Sequence, residues 1–150
     1  MDSTTTITPY LCVHDAKAAL AFYRDAFGAV ETVRYTDDDG SIGHAEFEVG
    51  SGVVMISDEW PQGAVFSPKH YGGTTVALFL DVPDVDAFAA RARSHGATVV
   101  REPEDQAYGK RTATLIDPFG HRWMVATTFA EPTDEEINAN MPGYIVSKPA

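Results

Sequence analysis

Hydrophobic and polar positions along the chain follow two periods, and the same succession of periods occurs twice. Residues from Thr5 to Val13 alternate with period two and read as a strand. Asp15 then stands where a helix wants a cap. Ala16, Ala19, Leu20, Tyr23 and Phe27 return at helical spacing until Gly28-Ala29 stops them. This predicts a helix over 16–27, followed by strands near 31–35, 43–49 and 52–58, separated by Asp37-Asp38-Asp39-Gly40 and Gly50-Ser51-Gly52. The second round predicts a strand over 74–82, a helix over 85–95, and strands near 98–101, 111–116 and 121–127. Asp117-Pro118-Phe119-Gly120 joins the last two, with proline and glycine placed as a type I turn wants them.

The two rounds are in register. Leu11-Cys12-Val13-His14-Asp15-Ala16 matches Leu80-Asp81-Val82-Pro83-Asp84-Val85 at an offset of 69 residues. The fold class is therefore α+β: two tandem βαβββ modules, 5–58 and 74–127, in a single domain over 1–128. The linker, 59–73, carries Trp60, Phe66 and Tyr71, aromatic side chains that a loop normally uses to cover something. In the tail, 129–150, the stretch Pro132-Thr133-Asp134-Glu135-Glu136 is suited to start a short helix.

Composition narrows the function. At 150 residues with 44% hydrophobic positions, the chain has enough apolar material for one core. Eleven basic against 22 acidic residues repel a phosphate backbone, which argues against nucleic acid as a partner. Apolar runs are too short to cross a bilayer, and the first ten residues lack the pattern of a secretion signal. Cys12, the single cysteine, suits a reducing compartment and a packing role. The expectation is a cytoplasmic protein without membrane contact.

Phe22-Tyr23, Phe27-Gly28-Ala29, Tyr108-Gly109-Lys110-Arg111 and Asp117-Pro118-Phe119-Gly120-His121-Arg122-Trp123, set in two βαβββ copies, resemble the vicinal-oxygen-chelate superfamily. That group comprises glyoxalases, bleomycin-resistance proteins and extradiol dioxygenases. The resemblance implies a cupped sheet with a central cleft, helices on its outer face, and pairing into a homodimer, with the cleft formed within one chain or across two. It also implies metal ligands, His or Glu, on the first and fourth strands of each copy. Their equivalents here are Thr8, Met55, Ala77 and Met124, none of which offers an imidazole or carboxylate. No metal and no cofactor is expected, and in this the chain resembles the metal-independent, bleomycin-resistance-like members.

Strand alternation sorts the remaining candidates. Ile7, Leu11 and Val13 are expected to face the first helix, and Val76, Leu78 and Leu80 the second. Tyr10, Met55, Phe79 and Met124 are then expected to line the cleft, with Trp60 and Tyr108 adding stacking surface and Arg111 or Arg122 binding an acidic or carbonyl group. His44 and Glu46 share one strand face about 7 Å apart, too far for a direct bond without side-chain reach, and form the candidate catalytic pair. A solvated polar strand edge explains the same alternation. His14, His95 and His121 read as structural.

Three functions remain open. The first is a metal-independent binder of an antibiotic or natural-product-like small molecule. The second is a cofactor-independent isomerase or lyase using His44 and Glu46. The third is a glyoxalase- or dioxygenase-like metal enzyme with displaced ligands.

Overall fold

The computed structural model describes residues 4–149, so residues 1–3 of the expected domain and residue 150 of the tail lie outside the described residues. The first module contains β1 (Tyr10–Val13), α1 (Ala16–Phe27), β2 (Val30–Thr36), β3 (Ile42–Val49) and β4 (Gly52–Asp58). A linker with a 3-10 turn over Pro61–Gly63 and the single-turn α2 (Pro68–Tyr71) follows. The second module contains β5 (Ala77–Asp81), α3 (Val85–Ser94), β6 (Thr98–Asp105), β7 (Lys110–Ile116) and β8 (Arg122–Thr128). The tail carries α4 (Asp134–Asn140) behind a Thr133/Glu136 capping box. No helix among the described residues is long and apolar enough to cross a membrane.

Each module makes one four-stranded mixed sheet, in the order β1-β4-β3-β2 and β5-β8-β7-β6. The outer pairs β1·β4 and β5·β8 are parallel and the rest antiparallel. The repeat extends to the capping chemistry. Asp15 and Asp84 each accept a bond from the backbone N–H three residues on, at 2.9 and 3.0 Å. The first N–H of each helix is also taken by the last strand of its own module: Ala16 donates to Asp58 Oδ1 at 2.7 Å and Val85 to Thr127 Oγ1 at 2.8 Å. Two of the donors a helix start leaves unpaired are thus satisfied in each module.

The helix-side faces of both sheets share one core. Tyr23 stacks on Phe47 at 4.9 Å, while Phe27 reaches Trp123 and Phe88 of the other module, each at 4.9 Å. Burying rings of this size stabilises by about 2–3 kcal/mol each. The polar centre of the join is Asp117, which is buried and accepts from Tyr23 Oη at 2.5 Å, Trp123 Nε1 at 2.9 Å and the backbone of Phe119 and His121. Burial and the Asp117 carboxylate push the Tyr23 phenol well above the ordinary tyrosine value, so it remains a donor.

The Asp117-to-Gly120 turn needs its glycine for space as well as conformation. At φ +93° a Cβ on Gly120 would lie 2.8 Å from Pro68 Cβ in the linker.

Two expectations are corrected. Residues 4–9 and 74–76 are not strand, and Ile7 and Val76, expected to face the helices, are 95% and 65% exposed. An edge strand extends only as far as its neighbour allows. Pro9 has no N–H to carry the ladder further back, and Ala77 already pairs with Arg122, the first residue of β8.

Candidate functional site

Leu11 and Val13 are buried under α1, which turns Tyr10 and Cys12 to the opposite, open face of the first sheet. Across that sheet Tyr10, Met55, Glu46 and Val33 form one cross-strand row. Tyr10 Oη lies 2.6 Å from His44 Nδ1, and His44 Nε2 lies 3.1 Å from Glu46 Oε1. The side chains of His44 and Glu46 therefore converge where their strand spacing alone had left them unbonded. The rings of Tyr10 and Tyr35 flank the imidazole at 5.3 and 5.7 Å.

Burial of the hydroxyl pushes the Tyr10 phenol above the usual value, with Cys12 and Glu46 adding to it against Ser57, so Tyr10 is a neutral hydroxyl at physiological pH. The Cys12 thiol is pushed up to about 11, by burial first and then by Glu59 and Asp58. It is not an activated nucleophile.

The open face of the second sheet carries the matching row Phe79, Met124, Thr114 and Arg101. Lys110 joins this face. Its Nζ bonds Asp81 at 2.8 Å and Thr128 at 2.9 Å and sits 5.6 Å from the Phe79 ring centre. Arg122 has the strand parity of Met124 and is exposed.

Arg111 does not belong to this face. Its guanidinium is engaged by both oxygens of Asp86, in the first turn of α3, and by Asp105, which hold its pKa above the usual arginine value. The reason is parity: Arg111 alternates with the buried Ala113 and Leu115 and so points to the helix side, leaving Lys110 as the cation beside Phe79. That signal was present in the strand pattern, as were Arg101 and Thr114 once β6 is seen to run to Asp105.

Trp60 and Tyr108 sit outside the sheets. Trp60 forms a one-residue bridge with Val65 and borders an open cavity of about 920 Å³ shared with Tyr10, Cys12, Ser57 and Glu59. Tyr108 lies at the β6–β7 turn. There Gly109 O receives the backbone N–H groups of Phe129 and Ala130, and a Cβ on Gly109 would meet Ala130 O at 2.1 Å. Of the other histidines, His95 makes a local bond to Arg91 O at 2.9 Å, whereas His121 reaches across to Cys12 O on β1 at 2.9 Å and ties the second module to the first.

The positions that the resemblance implies for metal ligands are Met55 on β4, Ala77 on β5, Met124 on β8 and Thr8, which lies before β1 rather than on it, and their donor set does not fit an ion. Two thioethers, a hydroxyl and a methyl offer a hard or borderline divalent cation neither charge nor imidazole. Among the described residues no group of three or more His, Cys, Asp or Glu is gathered in a way that could hold a metal.

The two open faces are not joined within one chain. Among the described residues no backbone of one sheet runs beside a strand of the other; the modules meet through α1 against α3 and Trp123, through the Asp117 turn and through the His121 bond to Cys12 O. Tyr10 is left 54% and Phe79 52% exposed.

Residues 3–125 match the model of the Glyoxalase/Bleomycin resistance protein/Dioxygenase superfamily. An uncharacterized protein of Mycobacterium bovis is 42% identical over 138 residues, 90% of this chain and 91% of its own length. Among solved structures, TioX from Micromonospora sp. ML1 superposes with a TM-score of 0.66 at 25% identity, over 84% of this chain and all of that one (100%). A genomically encoded fosfomycin resistance protein, FosX, from Listeria monocytogenes, solved with Mn(II) and a dihydroxypropylphosphonic acid, superposes at 0.65 with 16% identity over 91% of this chain and 98% of its own. At that identity the likeness is one of fold.

Proposed function

The chain belongs to the Glyoxalase/Bleomycin resistance protein/Dioxygenase superfamily, and from that premise we propose that it is a metal-independent small-molecule-binding protein of the cytoplasm, taking a planar, antibiotic- or natural-product-like ligand. The observation that carries this reading is the pair of matched rows, Tyr10-Met55-Glu46 and Phe79-Met124-Thr114, in which adaptable thioethers stand where an ion would need carboxylates. Apolar lining with a few oriented polar groups is what shape-selective binding requires.

Two half-exposed aromatic faces on separate sheets also favour a homodimer in which the first sheet of one copy closes over the second sheet of the other. Tyr10, Met55, Phe79 and Met124 are then the floor and roof, and Trp60, Tyr108 and Arg122 the rim.

The test is equilibrium binding of fluorene, a neutral planar tricycle, read by tryptophan fluorescence, alongside sedimentation of the free protein. Phe79→Ala should weaken binding about tenfold, and Met124→Glu, which places a carboxylate against the apolar floor, roughly a hundredfold. Unchanged binding in both folded variants would remove the cleft from consideration, and a monomer at binding concentration would remove the dimer.

The Tyr10-His44-Glu46 chain supports a second reading, a cofactor-independent isomerase or lyase in which His44 moves a proton beside a carbonyl. Full turnover by His44→Ala on an identified substrate would end it.

A further inference from the structure

The Tyr10-His44-Glu46 chain has a direction, and the direction follows from lone pairs. Glu46 is acceptor-only when ionised, so the imidazole nitrogen facing it at 3.1 Å, Nε2, must carry a hydrogen. In the neutral imidazole Nδ1 is then a bare lone pair, and Tyr10, 2.6 Å away, must give it the phenolic hydrogen. With its one hydrogen committed, Tyr10 Oη has only lone pairs left for a ligand. Among its neighbours on this face Glu46 and Glu48 are carboxylates, Met55 a thioether and Val33 a hydrocarbon, while Ser57 and Tyr35 carry rotatable hydroxyls that give or take a hydrogen bond, so Tyr10 is the one hydroxyl here whose hydrogen is fixed by an imidazole.

We propose that Tyr10 is the specificity-determining contact of the cleft, and that His44 and Glu46 are positioning residues that fix it as a hydrogen-bond acceptor, so the site selects planar ligands bearing an N–H or O–H donor. This rests on the cleft described above and names the chemistry of one end of its ligand. The arrangement also has a built-in inverse. Protonated His44 presents a hydrogen at Nδ1 as well; Tyr10 Oη then accepts from it, and the phenolic hydrogen is released toward the ligand. A ligand carbonyl becomes the better partner in that state. The groups that face this imidazole are Tyr10 from β1, Tyr35 from β2 and Glu46 from β3; Glu48 shares its strand face, and Cys12, Ser57, Asp58 and Glu59 line the cavity beside Tyr10. Asp58 is occupied by the backbone N–H groups of Ala16 and Ile42, and Glu59 by Ser67.

Three neutral tricycles of nearly one shape separate these effects from overall charge: carbazole, a donor only; fluorenone, an acceptor only; and fluorene, neither. Their affinities for the full chain are measured by fluorescence titration across the pH range in which NMR follows the His44 ring. Above the His44 midpoint, carbazole should bind roughly three- to tenfold more tightly than fluorenone. Below it the preference should shrink or reverse, with the same midpoint. Tyr10→Phe should erase both the preference and its pH dependence, the three tricycles then binding alike. Glu46→Gln, whose amide presents either a donor or an acceptor to Nε2, should blunt the preference; Glu135→Gln on α4 should not.

Equal binding of carbazole and fluorenone, or a preference that survives Tyr10→Phe, overturns the inference while fluorene binding lost in Met124→Glu still upholds the cleft. Failure of all three tricycles to bind overturns both.

Discussion

The first and second sheets present the same row of side chains with opposite polar ends. In the first, Tyr10 and Met55 lead to Glu46 and its bonded histidine, so the charged group at that end is a carboxylate. In the second, Phe79 and Met124 lead through Thr114 to Arg101, with Lys110 and Arg122 on the same face. The aromatic ring and the sulfur recur at the same offset as the caps and helices, so they belong to the shared scaffold, whereas the polar ends are specific to each half. A ligand held between two such faces has its body gripped by what the halves share and its orientation set by what they do not.

Changes that test this contrast differ in size. The largest effect is expected where the halves are joined. Asp117→Ala leaves the Tyr23 hydroxyl, the Trp123 indole and two backbone N–H groups without their common acceptor, and should cost about 3–5 kcal/mol, read as a fall in the denaturation midpoint. Next is Met55→Glu, the mirror of the Met124 variant. If the two rows are equivalent floors, fluorene affinity should fall by a similar amount, roughly a hundredfold; a loss confined to Met124→Glu would make the halves unequal.

Lys110→Ala against Arg111→Ala is a finer probe. Arg111 is already held by Asp86 and Asp105 on the helix side, so its loss should leave fluorene affinity unchanged, while loss of Lys110 beside Phe79 should weaken it measurably. The smallest effect is chemical. With its pKa raised to about 11, the neutral thiol is the favoured form of Cys12 in the folded chain, so alkylation by iodoacetamide should be slow at neutral pH and accelerate as pH climbs toward that value. Fast labelling at neutral pH would place Cys12 in a different environment.

How much of this was readable in the chain depends on distance along it. The helices, their aspartate caps and the 69-residue repeat are local signals, and α1 and β4 have the bounds that periodicity predicts. β1 ends at Pro9 although its partner β4 runs on to Gly52, a local signal that the alternation masked; the end of β5 was not readable, because β5 stops where β8 begins, more than 40 residues away. The bond from Tyr10 to His44 was not readable either, since it depends on β4 inserting between β1 and β3 and on a long tyrosine reaching past it. Arg111 was readable in principle, two positions before buried Ala113, but an arginine next to an alternating strand invites the assumption that it faces the ligand.

The central claim is that the cleft binds its ligand on thioethers and rings without an ion. Fluorene titration of chelator-treated protein, repeated with one equivalent of Zn(II) and then of Mn(II), tests it most directly. The account predicts the same affinity in all three and its loss in Met124→Glu; a tightly held divalent ion, one per cleft, without which fluorene does not bind, would contradict it.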